Sequence, residues 1–419
     1  MRELIVDWHI HSQYSRACSK KLTLPNIAKA CERKGIDVVA TADWTHPEWF
    51  AHMKEHLKES EPGIYQLKDG SSDARFMLVT EISQIYKKGD ATRRVHNLVF
   101  APSLEVVEEV NKELKSRDFN LESDGRPILG IDSEELYKVL KDIDERIIIV
   151  PAHAWTPWYA IFGSKSGFDS IEECFGEMSK YIYAIETGLS SDPPMNWQLS
   201  DLDDVMLISN SDAHSPRNLG REANVIAPNE ISYDEFMRIL REKDRDCFKY
   251  TIEFYPQEGK YHFDGCSNCE FSCDPQTAKK HNLRCPECGK KLTLGVHHRV
   301  EELSDRESSE VAKQKIPFKS IVPLTTIIAE CLGLKTETSK TVMAEYDRLI
   351  DNLADEFSIL LDVPIDDIAE VATDPTIPLA IERMRSGEVK MKPGYDGVYG
   401  EVSIFGEEGP PKPKQDTLL

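Results

Sequence analysis

Leu4-Ile5-Val6-Asp7-Trp8-His9-Ile10-His11 is the stretch from which the fold can be read. An apolar run suited to a strand ends in His-x-His. Side chains alternate across a strand with period two, so both imidazoles fall on one side of the pleat. The same placement returns along the chain: Asp43 and His46 in TADWTH, Glu81 in LVTEIS, His96 in RRVHNLVF, His153 in IIIVPAHAW, and Asp212 with His214 in LISNSDAH. Each follows or overlaps a short run of Val, Ile or Leu. Polar groups at the ends of successive strands converge at one end of a barrel, where such folds keep their chemistry. A lone His after a strand is an ordinary loop residue, and His52, His56 and His262 are read that way. Repetition lifts the others above that reading. Mixed His, Asp and Glu donors suit Zn, Mn or Fe, and several of them together suit a cluster of ions.

Working outward, residues 1–254 alternate strand and helix signals. LIVDWHIH, IDVVATAD, RFMLVTEIS, HNLVFAP, RIIIVPAHA, YIYAIETG and VMLISNSDAH read as strands. LPNIAKACERKG reads as a helix with Pro25 near its first turn and Gly35 at its end. DSEELYKVLKD, SIEECFGEMSKY and SYDEFMRILREKD are further helices. Such alternation implies an α/β fold with parallel sheet, and chemistry gathered at the strand ends favours a barrel over a doubly wound sheet.

Residues 255–300 are rich in turn residues and cysteine. Cys266-x2-Cys269 and Cys285-x2-Cys288, fifteen residues apart, have the spacing of a structural zinc site. Cys273 is a fifth thiol nearby, read as a spectator or as a competitor of Cys269. Residues 301–393 show apolar residues at helical spacing and read as a helical domain. Residues 394–419 form a Gly- and Pro-rich tail.

The chain has 419 residues, enough for two or three domains, and 40% hydrophobic residues, enough for a sizeable core. No run approaches the ~20 apolar residues of a membrane span, and no signal-peptide layout precedes the first strand. The remaining cysteines, Cys18, Cys31, Cys174, Cys247 and Cys331, are scattered like free thiols. A soluble protein of the cytoplasm is expected, without membrane partners. The net charge of −22 argues against holding nucleic acid by bulk positive charge. Local basic clusters remain, at Lys87, Lys88, Arg93 and Arg94 and at Lys279, Lys280, Arg284, Lys290 and Lys291. Each reads either as a solvated face or as a phosphate contact.

Divalent ions held together by His and carboxylate activate water and clamp phosphate oxygens, which best serves phosphoester hydrolysis. Glu81 offers two oxygens and suits a bridge between ions, and Asp212 is a second candidate catalytic carboxylate. Asp192, in the SSDPP loop, reads equally as a leaving-group helper or as a turn-capping aspartate. Arg16 and Lys20, in the loop after His11, are placed to meet phosphate. No P-loop appears, which argues against an ATP-driven motor.

DWHIHS, TADWTH, TEIS, RVHNLVF, PAHAW and SDAHS resemble the motifs of the PHP (polymerase and histidinol phosphatase) superfamily. HSQYSRACSK, DWTHPEW, the cysteine module, LTLGVHHRVEELSDR and GYDGVYGE resemble, more narrowly, the endonuclease Q family across nearly the whole chain. The resemblance implies a distorted seven-stranded α/β barrel followed by a small zinc module and a helical domain. It implies a DNA-repair endonuclease that cleaves on the 5′ side of uracil, hypoxanthine, xanthine or an abasic site, leaving 3′-hydroxyl and 5′-phosphate. Carried over by motif, His9, His11, Glu81 and Asp212 hold one metal. Glu81, His96 and His153 hold a second, and His214 with His46 or Asp43 serves a third. The expected complement is two or three divalent ions (Zn, Mn, Fe or Mg) and one structural zinc. Here Trp44 interrupts the superfamily's Thr-Asp-His motif.

Reading a deaminated base requires taking it out of the stack. Trp155, Trp158, Tyr159 and Phe162, after His153, read either as a stacking pocket or as core. The zinc module and helical region are expected to grip damaged double- or single-stranded DNA through the 279–291 cluster. Gln415 and Leu418 partly fit a sliding-clamp peptide, without its aromatic residue. Two other readings compete: a phosphatase of small phosphomonoesters, which leaves the zinc module unused, and a non-catalytic DNA-binding scaffold, which intact ligands disfavour.

Overall fold

The computed structural model describes residues 2–411; Gln415 and Leu418 lie outside them. Strand β1 (Leu4–Asp7) leads to helix α1 (Leu24–Lys34), then β2 (Val38–Ala40), α2 (Pro47–His56) and a hairpin of β3 (Leu57–Glu61) and β4 (Ile64–Leu67). β5 (Arg75–Met77), β6 (Val79–Lys88), β7 (Ala91–Phe100), α3 (Leu104–Ser116), β8 (Ile128–Leu129), α4 (Ser133–Ile143) and β9 (Ile148–Pro151) follow. Next come α5 (Ile171–Phe175), β10 (Ala184–Glu186), α6 (Pro193–Asn196), β11 (Met206–Ile208), β12 (Ala223–Ile226), α7 (Tyr233–Glu242) and β13 (Phe248–Glu253). α1 begins with Pro25 in its first turn and stops at Gly35, whose φ of 82° lets its amide close on the Cys31 carbonyl. α2 and α3 are helices the periodicity reading did not name; Ser103 caps α3 by accepting from the Val106 amide.

All seven expected strand segments form, with RFMLVTEIS split at Leu78 into β5 and β6. They follow one another around a ring. β1, β2 and β5 pair in parallel, and β7 bridges β6 and β9 in antiparallel ladders. The Ala154 amide donates to the Glu186 carbonyl at 2.9 Å and joins β9 to β10, which pairs with β11. A single bridge, Ile10 to Ala213, returns to the first strand. No continuous ladder closes the ring among the described residues: its strands are distributed over sheets of eight, four and two. The sheet is also mixed rather than parallel. The tight turn at Gly89 makes β6 and β7 a hairpin, and β12 comes back antiparallel onto β1.

Trp8 is fully buried, edge-on to Phe100 and Phe236 at 5.8 and 5.7 Å. An aromatic of this size removes about 150–250 Å² from water, and here it seats the strand that ends in His9 and His11. The C-terminal region joins the same core. β14 (Asp264–Cys266), β15 (Phe271–Cys273) and α8 (Pro275–Lys280) build the cysteine module, followed by α9 (Val296–Leu303). The charged stretch after α9 is not one helix; it breaks into short turns. β16 (Phe318–Ser320) then pairs in parallel with β13 at the edge of the eight-stranded sheet.

α10 (Leu324–Cys331), α11 (Lys340–Asn352), α12 (Glu356–Leu361), α13 (Ile365–Val371) and α14 (Thr376–Arg385) complete the helical region. The long periodic run between 339 and 362 is cut at Asp355, which caps α12 through the Ser358 amide. Lys34 on α1 meets Glu356 at 2.9 Å, and Glu356 also accepts from Leu324 and Tyr346. No helix among the described residues is long and apolar enough to cross a membrane.

Candidate metal centre

Glu81, near the start of β6, stands at the middle of the site with its side chain fully buried. Its two oxygens face two different sets of imidazoles. Oε1 lies 2.6 Å from His96 Nδ1 and 3.1 Å from His153 Nε2. Oε2 lies 3.6 and 3.4 Å from the Nε2 atoms of His9 and His11. Asp212 Oδ1 completes the second set, 3.0 Å from His11 Nε2 and 3.6 Å from His9 Nε2. Two groups follow, His9 with His11 and Asp212, and Glu81 with His96 and His153; in each, every donor lies within 4.8 Å of the others.

The donors fit divalent ions. His9 Nε2 is buried and has no hydrogen-bond partner, while its Nδ1 lies 3.0 Å from both oxygens of Glu186. His11 is backed in the same way by Asp43, at 3.4 Å from Nδ1. A carboxylate behind each imidazole fixes the tautomer and turns Nε2 toward a metal. Nitrogen and oxygen donors of this kind suit Zn, Mn or Fe.

Charges are balanced among the groups themselves. Burial opposes charge on Glu81, yet His96, Arg126 and His9 hold it well below the ordinary carboxylate range. Burial likewise opposes protonation of His11, but Asp212 and Asp43 push it up to about 9. His96 goes the other way, down to about 4, because burial outweighs the pull of Glu81. The backbone is strained at the same places: Asp43, His153 and Asp212 have φ of 33°, 32° and 46°. Left-handed conformations in such residues cost about 1–3 kcal/mol each and persist where surrounding structure imposes them.

Asp43 and His46, read above as ligands of a third metal, join neither group. Asp43 Oδ2 accepts from the Ser12 amide and from the hydroxyls of Ser12 and Ser15. His46 heads α2, stacks on Tyr14 at 4.3 Å and meets the Glu122 carbonyl at 3.2 Å. His214 stays at the rim, its Nδ1 2.8 Å from the Asp212 carbonyl. Asp192 caps α6 by accepting from the Met195 amide, the second of its two readings.

The four aromatics after His153 divide. Trp155 and Phe162 pack on each other at 4.8 Å inside the core, with Trp155 donating to Asn196. Their burial excludes them from a stacking pocket. Trp158 is exposed beside Tyr261, and the Tyr159 ring lies tilted against His96 at 4.7 Å. Arg16, Lys20, Lys279, Lys280, Arg284, Lys290 and Lys291 are all exposed; Lys279 is paired with Glu301. Sequence reading missed two residues. Glu186 ends its strand as the other polar groups do, and that signal was available. Arg126, whose Nη1 donates to Glu81 Oε2 at 2.9 Å, sits in a loop with no periodic mark.

The cysteine module is a second centre. Cys266, Cys269, Cys285 and Cys288 come together, unbridged by disulfides, while Cys273 stays outside the group. A set of four converging thiols fits zinc.

With this geometry in hand, the relatives are informative. Two solved structures superpose on nearly the whole chain. The crystal structure of a novel lesion-specific endonuclease from Pyrococcus furiosus, PfuEndoQ, gives a TM-score of 0.84 at 32% identity, covering 96% of each chain. A structure of Endonuclease Q in complex with a 27-mer duplex carrying an abasic lesion gives 0.84 at 33% identity, covering all of both chains. The chain belongs to the endonuclease Q family. Residues 323–388, in the helical region, match the family described as the MJ0043 C-terminal domain. The MJ0043 protein of Methanocaldococcus jannaschii is 31% identical over a 323-residue alignment that covers 71% of this endonuclease Q family member. The matched part spans only 40% of that relative's length.

Proposed function

We propose that this protein is a metal-dependent DNA-repair endonuclease that hydrolyses the phosphodiester on the 5′ side of deaminated bases and abasic sites. The observation that carries the proposal is Glu81 presenting one oxygen to each of two imidazole groups. His9, His11 and Asp212 would hold one ion, and His96 and His153 another, with Glu81 between. Divalent ions supply water activation and take up charge on the phosphate. The chain's own residues do the rest. Glu186 fixes His9 and accepts from the Asn210 side chain and the His153 amide, so both groups are braced by one carboxylate. Tyr159 offers an aromatic face beside His96, and its chain neighbour Trp158 an exposed one beside Tyr261, both suited to an unstacked base. The exposed lysines of the cysteine module suit duplex phosphates.

The test is a nicking assay with labelled duplex DNA carrying one uracil, hypoxanthine or abasic site, with Mg or Mn. Wild type is expected to cut once, 5′ to the lesion, and Glu81→Ala is expected to lose on the order of 1,000-fold or more in rate. Hydrolysis of small phosphomonoesters without nicking would replace this reading by the phosphatase one.

A further inference from the structure

The loop 122–126 is fastened by His46, read above as a metal ligand, and by its neighbours Thr45 and Tyr14. His46 Nε2 meets the Glu122 carbonyl, the Thr45 hydroxyl donates to the Gly125 carbonyl at 3.2 Å, and the Gly125 amide donates to the Tyr14 carbonyl. A Cβ on Gly125 would stand 2.3 Å from Asp43 Oδ2, so only glycine lets the loop lie against that carboxylate. What the loop delivers is Arg126, whose guanidinium donates to Glu81 Oε2 and still keeps about a quarter of its side chain exposed. Two divalent ions at Glu81 would repel this cation. An anion in the same place relieves that repulsion, and a phosphate oxygen is the anion the proposed reaction brings.

We propose that Arg126 does the electrostatic work of a third metal: the barrel holds two ions, and Arg126 contacts a non-bridging oxygen of the scissile phosphate. Arg126 is then a catalytic residue, and Asp43, Thr45, His46 and Gly125 are positioning residues for it. A guanidinium suits the task because its planar fork matches phosphate and its charge is permanent. The inference rests on the endonuclease reading above.

The experiment counts metal per chain by elemental analysis after dialysis against excess Mn and Zn, and measures single-turnover nicking at saturating DNA. Three ions per chain are expected, two in the barrel and one on the cysteines, unchanged in His46→Ala and Arg126→Gln. Arg126→Gln is expected to slow nicking by about 100-fold at any metal concentration, with partial rescue by Arg126→Lys. A fourth ion that His46→Ala removes would overturn the proposal. So would full nicking by Arg126→Gln, or a defect that added metal cures. The count does not depend on nicking. Wild type that nicks no lesion overturns the endonuclease reading, and the count then decides this proposal.

Discussion

Glu186 stands one step behind His9, and its replacement separates orientation from ligation. Glu186→Gln keeps the size of the side chain but removes the charge behind Nδ1 of His9. Metal affinity is expected to fall about 10–100-fold, read by titrating metal-stripped protein, with melting of the metal-free protein little changed. Deeper in the barrel, Glu253 accepts from Thr187 and Ser209 through one oxygen and leaves the other without a partner. Burial, aided by the nearby Asp192, pushes its carboxyl up from the ordinary 4.5 to about 8. Between these values the folded chain keeps a proton that the unfolded chain has released, so stability falls as pH rises through this window. The loss is on the order of a few kcal/mol. Melting temperatures between pH 5 and 9 are expected to drop in wild type and to follow a flatter line in Glu253→Gln. Parallel lines would rule this account out.

At the scale of elements, the cysteine module has almost no core of its own. Its buried cluster is Cys266, Cys273, Ala278, Cys285 and Leu292. Metal then supplies the folding free energy. Chelation, or Cys285→Ser, is expected to open residues 264–292 to protease while the barrel resists. DNA affinity is expected to fall with it, in a filter-binding titration run at several salt concentrations. Survival of the module without zinc would contradict the reading. This element was legible in the sequence because Cys-x2-Cys spacing is local, and the barrel strands were legible because their period is local too. TADWTH was harder. Its polar residues at a strand end were visible, but what they face is a glycine loop some eighty residues further on. No spacing within the motif distinguishes a residue that binds metal from one that pins a loop. The cut at Asp355 was likewise hidden inside an uninterrupted apolar stripe.

On the scale of the whole molecule, the helical region is part of the barrel's architecture. It supplies β16 to the edge of the main sheet, and Phe357 packs so closely on Gly220 that an added Cβ would lie 2.9 Å from its ring. Calorimetry of the full chain is expected to show barrel and helices melting together. A chain ending at residue 300 is expected to aggregate, since the β13 edge and the face under Phe357 are uncovered. Two well-separated transitions would count against this.

The pairing of β1 with β12 has a consequence during synthesis. Leu4 reaches its partner Ile226, and His9 and His11 reach Asp212, only after most of the barrel has left the ribosome. Such non-local contacts form late, because a long loop must close before they are rewarded. An interrupted chain therefore carries an incomplete centre: His9 and His11 beside Glu81 but without Asp212. The order of the genetic message thus leaves the centre short of Asp212 until nearly all the strands around it have been made.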